Sequence, residues 1–439
     1  MFTTLKNAFK IKDIRNKIFF TALMLVVVRL GSAIPVPGIN STVFQNWFSN
    51  LTSSSDALGF LDRFTGGSFE TMSILALNIT PYITSSIIIQ LLTVAIPKFE
   101  EWQHDGEDGR KKLTALTRYI TIALALIESI AMSIGFYRQN FLVNKKWYYC
   151  VVIVVALTAG SAFLMWLGER ITDNGVGNGI SIILTINIIS RMPSDISTLF
   201  SQFVLGHSIV RAVIDAMIII AIIIGMVVLV VLLNDAERHI PVQYTRKLQG
   251  RKMAGSSNSE IPLKVNTAGV MPIIFAMSLF QFPIIISQFV GYNGTGAWSE
   301  ILKYLNESNW IDPEHMIYSL GLVVYVILLV LFAYFYTSLT FNPLEIADNM
   351  KKQGGFIPGI RPGKPTSDYL STLLKYIIFI GACGLTIIAI LPIFFNGVFN
   401  ANVSFGGTSL IIIVSVILET IKQIESQMLV RNYKGFLDD

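Results

Sequence analysis

Long apolar stretches dominate the chain, and most approach the length that a helix needs to cross a bilayer. A hydrocarbon core takes about 20 apolar residues of α-helix. The pattern predicts ten spans, at residues 18–37, 73–96, 117–137, 147–167, 178–192, 210–233, 267–290, 316–340, 372–395 and 408–425. Because these runs lack the period-two alternation of a membrane β-barrel, we predict an all-α polytopic membrane protein.

Two of the predicted spans are interrupted at matching positions of the two five-span halves. The second span follows a short amphipathic stretch from Ala57 and the pair Gly66-Gly67, and it contains Pro81. The seventh span is interrupted by Gly269, Pro272 and Pro283. Such pairs indicate inverted repeats around a central pathway, although proline kinks also occur in ordinary spans. Since the broken segments are mostly aliphatic, we interpret them as a gate that excludes water, preceded by a plug.

The charges predict which way the spans face. The chain is 53% hydrophobic and only 14% charged, against about 25% charged residues in soluble domains. The termini and the segments between spans that lie on the same side of the membrane as the N-terminus carry 25 Lys and Arg residues, and the segments on the opposite side carry 7. The positive-inside rule therefore predicts that both termini are cytoplasmic. Basic and apolar positions alternate in residues 1–17, which predicts a helix lying on the membrane surface.

Catalytic, metal and cofactor chemistry is not indicated by the residues. The histidines are scattered, and Cys150 and Cys383 lie inside apolar runs, which predicts buried thiols without a disulfide. The segment GIRPGK at 359–364 has the wrong spacing for a phosphate-binding loop. We therefore expect a protein that is not an enzyme and holds no cofactor. Glu128 is the one mid-span carboxylate, with either a functional or a structural role.

Two long segments of the predicted cytoplasmic face, 234–266 and 341–371, are basic and contain many turn-forming residues. The first carries Arg246, Arg251 and Lys252, and the second holds Arg361 in a Gly- and Pro-rich turn. The charge is explained either as a topology signal on a solvated surface or as a docking surface. Basic tips on long loops suit RNA phosphate or an acidic protein.

Six segments, in order along the chain, resemble the SecY family of protein-conducting channels. They are RLGSAIPVPG at 29–38, GGSFETMSILALNITPYITSSIIIQLL at 66–92, LMWLGERITDNGVGNGISI at 164–182, IPLKVNTAGVMPIIFA at 261–276, NPLEIADNMKKQGGFIPGIRPGKPT at 342–366 and FGGTSLIIIV at 405–414. The resemblance covers essentially the whole chain. It implies two inverted, pseudo-symmetric five-helix halves around an hourglass pore, with a hinge between the fifth and sixth helices and a lateral gate between helices two and three and helices seven and eight.

The resemblance also implies the organisation of the chain. We expect an interfacial helix at 1–17, an N-terminal half at 18–192, a C-terminal half at 193–425 and a cytoplasmic tail at 426–439. The plug lies at 57–67 in the first half, and the docking loops 234–266 and 341–371 lie in the second.

Individual roles carry over residue by residue. The implied pore ring is Ile79, Ile83, Ile180, Leu184, Ile274 and Ile412, and the implied plug residues are Leu58, Phe60, Leu61, Phe64, Gly66 and Gly67. Gln90 and Asn266 match polar positions of the lateral gate, where facing amides can hydrogen-bond across the seam, and Glu128 would tune opening if it lies there. The implied docking residues are Arg246, Arg251, Lys252 and Arg361.

The implied function is a passive conduit for secretory polypeptides, with a sideways exit for membrane segments, in the bacterial plasma membrane. The implied partners are SecE and SecG-like small membrane subunits, the SecA motor ATPase, a translating ribosome, signal sequences, nascent polypeptides and membrane lipids. One alternative is an inverted-repeat secondary transporter of a small solute, which would need a polar midplane site beyond Glu128. Another is an insertase or scaffold without an aqueous pore, which would leave the plug unexplained.

Overall fold

A computed structural model describes residues 8–52, 65–144, 146–203, 209–244, 248–249, 252–253, 259–290, 296–311, 316–399 and 407–434, and these residues are mostly helical. The helices in this part of the chain are α1 (Lys12–Ser32), α2 (Ser41–Thr52), α3 (Thr80–Ala95), α4 (Pro97–His104), α5 (Gly106–Arg138), α6 (Trp147–Asn174), α7 (Gly179–Phe203), α8 (Ile209–Asp235), α9 (Met271–Val290), α10 (Ala297–Leu305), α11 (Ser319–Thr340), α12 (Pro343–Lys352), α13 (Lys364–Phe399) and α14 (Gly407–Lys434). The strands are β1 (Glu237–Tyr244), β2 (Leu248–Gln249), β3 (Lys252–Met253), β4 (Ser259–Lys264) and β5 (Gly355–Phe356).

Each predicted span overlaps one of these helices. Within the described residues, five helices are long and apolar enough to cross a membrane, or six if a bent pair, Thr80–Ala95 and Pro97–Gln103, forms one span. The axes of that pair differ by 107°. Two shorter apolar stretches, Gly179–Ser194 of α7 and Met271–Phe280 of α9, fall on the predicted fifth and seventh spans. The helical, polytopic fold class predicted from the apolar runs is confirmed.

The second predicted span begins later than the apolar run does. Residues 66–79 form consecutive turns, and the helix starts only at Thr80, with Pro81 in its first turn. Met72 and Asn78 have positive φ angles of 49° and 52°, which a right-handed helix excludes. The prediction of a helix from residue 73 is therefore wrong for its first turns, because the backbone of this segment bonds elsewhere: Val36 N–H donates to Met72 O at 2.9 Å.

The three largest hydrophobic cores of the described residues organise the bundle. One lies in the first half, where Phe44 of α2 packs with Phe69, Phe136 and Phe141. A second joins α8, α9, α11 and α13 in the other half around the buried Tyr325 and Trp310. The third contains residues of α1, α3, α6, α7, α9 and α14 and therefore lies between the halves.

A small antiparallel sheet joins the two predicted docking loops. In β1 and β4 the pairing runs from Glu237 opposite Lys264 to Val242 opposite Ser259, and β1 also pairs with β5 from the second loop. Ile240 and Val242 alternate with exposed residues and pack under the sheet with Leu263, Met350 and Leu370. Sequence analysis treated both segments as loops, so this sheet is an addition to the predicted fold.

Three predicted boundaries fall inside continuous helices. Residues 12–17, assigned to an interfacial helix, are the first turns of α1, while residues 8–10 are helical and precede a bend at Ile11. The boundary at 192–193 lies within α7, which continues past Pro193, and the boundary at 425–426 lies within α14.

The two cysteines are free, as expected, but only one is shielded. Cys150 is half-buried, whereas Cys383 is exposed on α13. The prediction that both thiols are buried is therefore wrong for Cys383. An apolar run does not distinguish a face that packs in the bundle from a face that meets lipid, because both environments favour the same residues.

Candidate functional site

An aliphatic core, at the place of the predicted constriction, lies between the two halves. All six predicted ring residues belong to the third core: Ile79, Leu184 and Ile412 are buried members, and Ile83, Ile180 and Ile274 are partly buried and pack against them. The buried members of this core are all Val, Leu or Ile. The structure thus brings together the residues that the family resemblance singled out, with contributions from both halves.

The ring residues share a position in their helices. Ile83, Ile274 and Ile412 lie within the first two turns of α3, α9 and α14, and Ile180 and Leu184 lie within the first two turns of α7. Ile79 immediately precedes α3. Four helix starts therefore converge on one place, which is how broken helices bring side chains from distant parts of the chain to a common level.

The sequence GVGNG at 175–179 forms the turn between α6 and α7 and positions the start of α7 at the aliphatic core. Gly177 has a φ of 78°, and the Asn178 side chain caps the new helix by accepting bonds from Ile180 N and Ser181 N at 3.1 and 3.4 Å. Gly179 lies directly against the carbonyl oxygen of Gly168 on α6 and leaves no room for a side chain. The tight reversal sets Ile180 and Leu184 against the constriction.

The predicted plug lies largely outside the described residues. Leu58, Phe60, Leu61 and Phe64 belong to that part, so their positions are not described. Gly66 and Gly67 are described, with φ angles of 66° and 85° that suit glycine. Gly66 lies against α1 and α7, and its carbonyl oxygen accepts a bond of 3.3 Å from Arg29 Nη1.

Helices from both halves pack together at the predicted lateral seam. Helices α5 and α9 pack together across the two halves, and Ile87 of α3 packs on the second-half core. Gln90 Nε2 donates to Ser86 Oγ on its own helix at 3.3 Å, and Asn266 Nδ2 donates to Asn234 Oδ1 at 2.8 Å. The bond expected between Gln90 and Asn266 is therefore absent: Asn266 donates within its own half, and Gln90 Oε1 is buried without a hydrogen-bond partner among the described residues.

Glu128 lies midway along α5, which packs against α9. Its side chain is half-buried, and among the described residues none bonds or pairs with its carboxylate. The structure thus places Glu128 on a helix of the predicted seam, where no described residue is its partner.

The predicted docking residues are described in part. Arg246 and Arg251 lie outside the described residues, and Lys252 is in the short strand β3, where only the backbone is described. Arg361 is exposed at the tip of a turn whose backbone is held by Thr366 Oγ1, which donates to Arg361 O at 2.8 Å. No residue of the described part binds its guanidinium.

A polar cavity of about 240 Å³ opens beside the constriction. Its lining comes from both halves and includes Asn178, Ser181, Asn266, Val270, Glu419 and Lys422. On its wall, Asn234 Nδ2 donates to Ser415 Oγ at 2.6 Å, and Lys422 pairs with Asp235 at 2.8 Å. Sequence analysis singled out Asn266 but missed the groups around it. Asn234, Asp235 and Lys422 are polar residues at or near the ends of spans, where polar residues are common, so no local signal marks them.

The comparisons with known proteins address the whole chain. The SecY family model matches residues 73–421. The SecY subunits of the protein translocases of Halalkalibacterium halodurans and Bacillus subtilis are 42% and 43% identical to it, and each alignment covers all of both chains.

Solved structures have the same fold. A protein-conducting channel matches with a TM-score of 0.64 at 18% identity over 94% of this chain and 92% of its own. Sec61 in a canine ribosome-channel complex from the endoplasmic reticulum matches with a TM-score of 0.62 at 17% identity, with the same coverage.

A helical membrane bundle with an aliphatic constriction between two halves defines a polypeptide-conducting channel of the translocon class. The chain belongs to the SecY family, and it is the channel-forming subunit of a bacterial protein translocase, a multi-pass protein of the cell membrane. The resemblance drawn from the six motifs is confirmed.

Proposed function

We propose that the six aliphatic side chains of the constriction are the resting seal and the contact ring for a translocating chain. The observation that carries this proposal is their convergence, from four helix starts and both halves, in one aliphatic core. Apolar walls narrower than a few water diameters favour dewetting, so such a ring resists ions when closed. Aliphatic side chains also carry no hydrogen-bonding group or charge, so they can contact an extended polypeptide without selecting its sequence.

Opening would separate the two halves along the seam between α5 and α9. The amide nitrogens of Gln90 and Asn266 donate within their own halves, so the described contacts across this seam are the packing of α5 on α9 and of Ile87 on the second-half core. An apolar signal helix replaces such contacts at little cost, and an apolar nascent segment then partitions sideways into lipid. The plug at 57–67 would back the ring from the outer side and would move away as the halves part.

The orientation and the docking surface follow from charge and from the sheet. The split of 25 to 7 basic residues supports cytoplasmic termini. Strand β5 pairs with β1, so the turn bearing Arg361 and the loop bearing Arg246, Arg251 and Lys252 belong to one platform. We propose SecA and the translating ribosome as its partners, and SecE and SecG-like subunits in the bilayer. The Sec61 and Ssh1 neighbours were solved on ribosomes.

The test of the ring is crosslinking to a stalled chain. Cysteine is introduced at Ile83 or Ile274 in a chain in which Cys150 and Cys383 are replaced by serine, and the translocating polypeptide carries one cysteine. We expect disulfide adducts at both positions. Ile417, exposed on α14, is the matched control and should give no adduct. Adducts at Ile417 but not at ring positions would refute the ring.

Orientation and partners need separate measurements. A membrane-impermeant maleimide should label a cysteine at Ser41 from outside the cell and a cysteine at Lys364 only after lysis. The reverse pattern would overturn the topology.

Small single-span subunits should co-purify with the tagged chain in mild detergent, and their absence from a translocation-competent preparation would contradict the proposed assembly.

A further inference from the structure

The turn that follows the proposed plug is fastened to two helices by polar groups that the mechanism above does not use. Arg29, in the last turn of α1, donates from Nη1 to Gly66 O at 3.3 Å. Ser190 Oγ lies 3.4 Å from the same carbonyl oxygen, but its hydroxyl is also 2.7 Å from Asn187 O. A hydroxyl has one proton, and the shorter bond takes it. Arg29 is therefore the donor on which the Gly66 carbonyl depends.

A second contact lies four residues further along. Arg191 Nη2 of α7 pairs with Glu70 Oε2 at 2.7 Å, and the two side chains are 27% and 36% exposed. The same helix holds the far end of the segment, since Asn187 Nδ2 donates to the buried Asn78 Oδ1 at 3.1 Å. Helix α7 also carries the ring residue Leu184. One helix thus contacts the constriction and both ends of the turn segment 66–79.

The space around Gly66 is too small for a side chain. A Cβ on this residue would lie 2.8 Å from Arg29 Nη1 and 2.8 Å from Asn187 O, and its φ of 66° already disfavours other residues. The glycine therefore serves close approach of the backbone to α1 and α7. This changes the role expected of Gly66: in the resting state it is held in place, and a plug that moves as a whole must first release it.

We propose that Arg29 and the Glu70–Arg191 pair are positioning residues that latch the base of the plug to α1 and α7 in the resting channel. The proposal rests on the proposed plug and pore function. Breaking the latch leaves the ring intact but removes part of the resistance to plug displacement. Because the ion pair is partly exposed, its loss should raise the open fraction only about two- to fivefold. A channel with a broken latch should also accept weaker signal sequences.

The test uses the purified full-length channel in liposomes, with resting ion conductance as the readout. Glu70→Arg and Arg191→Glu should each raise conductance about two- to fivefold. The double variant Glu70→Arg/Arg191→Glu restores an opposite-charge pair and should return to nearly the original conductance. Singles without an increase, or a double variant that leaks as much as both singles combined, would overturn the latch.

Arg29 is tested by the pair Arg29→Met and Arg29→Lys. Methionine keeps a similar length without a donor and should leak, whereas lysine retains a donor and should leak less. Equal leak in both would show that hydrogen bonding to Gly66 is not the cause. Expression level and monodisperse elution in detergent show that each variant folds.

A deletion of residues 57–65 separates this proposal from the one on which it rests. If the latch acts through the plug, Arg191→Glu should add no further leak to the deletion, whereas general loosening of the bundle would add to it. A deletion that leaks while all latch variants stay tight refutes the latch and keeps the plug. A deletion that does not leak refutes the plug itself.

Discussion

Gly160 of α6 packs directly against the backbone of Ile74, and its missing side chain is what lets the two segments meet. A Cβ at this position would overlap the Ile74 carbonyl oxygen, which is backbone and cannot rotate away. Ser161, the next residue, donates to Asn78 O at 3.3 Å. The non-helical segment 66–79 is thus seated on α6 as well as on α7.

We expect Gly160→Ala to destabilise the channel by about 1–3 kcal/mol, the usual cost of overpacking a filled interior. Thermal unfolding in detergent measures this. Gly225→Ala is the matched control, since a Cβ at Gly225, in the middle of α8, meets nothing within 4 Å. That control should be neutral or stabilising by up to about 1 kcal/mol. Equal effects of the two substitutions would contradict the contact.

A polar side chain in the ring should weaken the resting seal. Ile412→Asn places an amide at a position that is 1% exposed among aliphatic residues. Burial of an unsatisfied polar group costs about 1–3 kcal/mol, so the closed state should be destabilised relative to the open state. Resting conductance should then rise about tenfold. Ile417→Asn, on the exposed face of the same helix, is the control and should leave conductance unchanged. A tight Ile412→Asn channel would show that Ile412 is not part of the seal.

Removal of the plug should open the resting channel without stopping transport. Deletion of residues 57–65 ends before Gly66, so the contacts of the segment 66–79 with α1, α6 and α7 remain. We expect resting ion conductance to rise about tenfold or more, while signal-dependent export continues. Substitution of Ser53, Ser54 and Ser55 by alanine is the adjacent control. Loss of export in the deletion, with no leak, would instead indicate a structural role.

Reversal of the charge at Arg361 should disable docking. Its guanidinium has no partner among the described residues, so a change to glutamate leaves the described packing unchanged. Loss of a buried interfacial charge pair costs about 2–5 kcal/mol, and the initial rate of export should fall about tenfold or more. Lys364→Glu, three residues away at the exposed start of α13, makes the same charge change and should have a small effect. Similar losses in both variants would point to general electrostatics.

Much of this protein could be predicted from its sequence, because transfer of apolar residues into lipid is a local property. Apolar runs that approach 20 residues predicted ten spans, and each of these spans overlaps a helix of the structure. The family motifs also singled out Ile79 and Ile412, which come from opposite halves and meet in one core. The paired broken segments predict a central pathway, and residues beside both breaks, such as Ile83 and Ile274, pack in this core.

The tertiary structure decided what depends on polar partners far away in the chain. The helix of the second span begins at Thr80 because residues before it bond to distant groups: Arg29 reaches Gly66 across 37 positions, and Asn187 reaches Asn78 across 109. The pairing of β1 with β5 likewise joins two loops that look independent. The Cys383 side chain is exposed although it lies in an apolar run, where a buried thiol was expected. Hydrophobicity determines which segments enter the membrane. Hydrogen-bond partners, the buried face of each helix and the point where a helix begins are determined only when those segments pack.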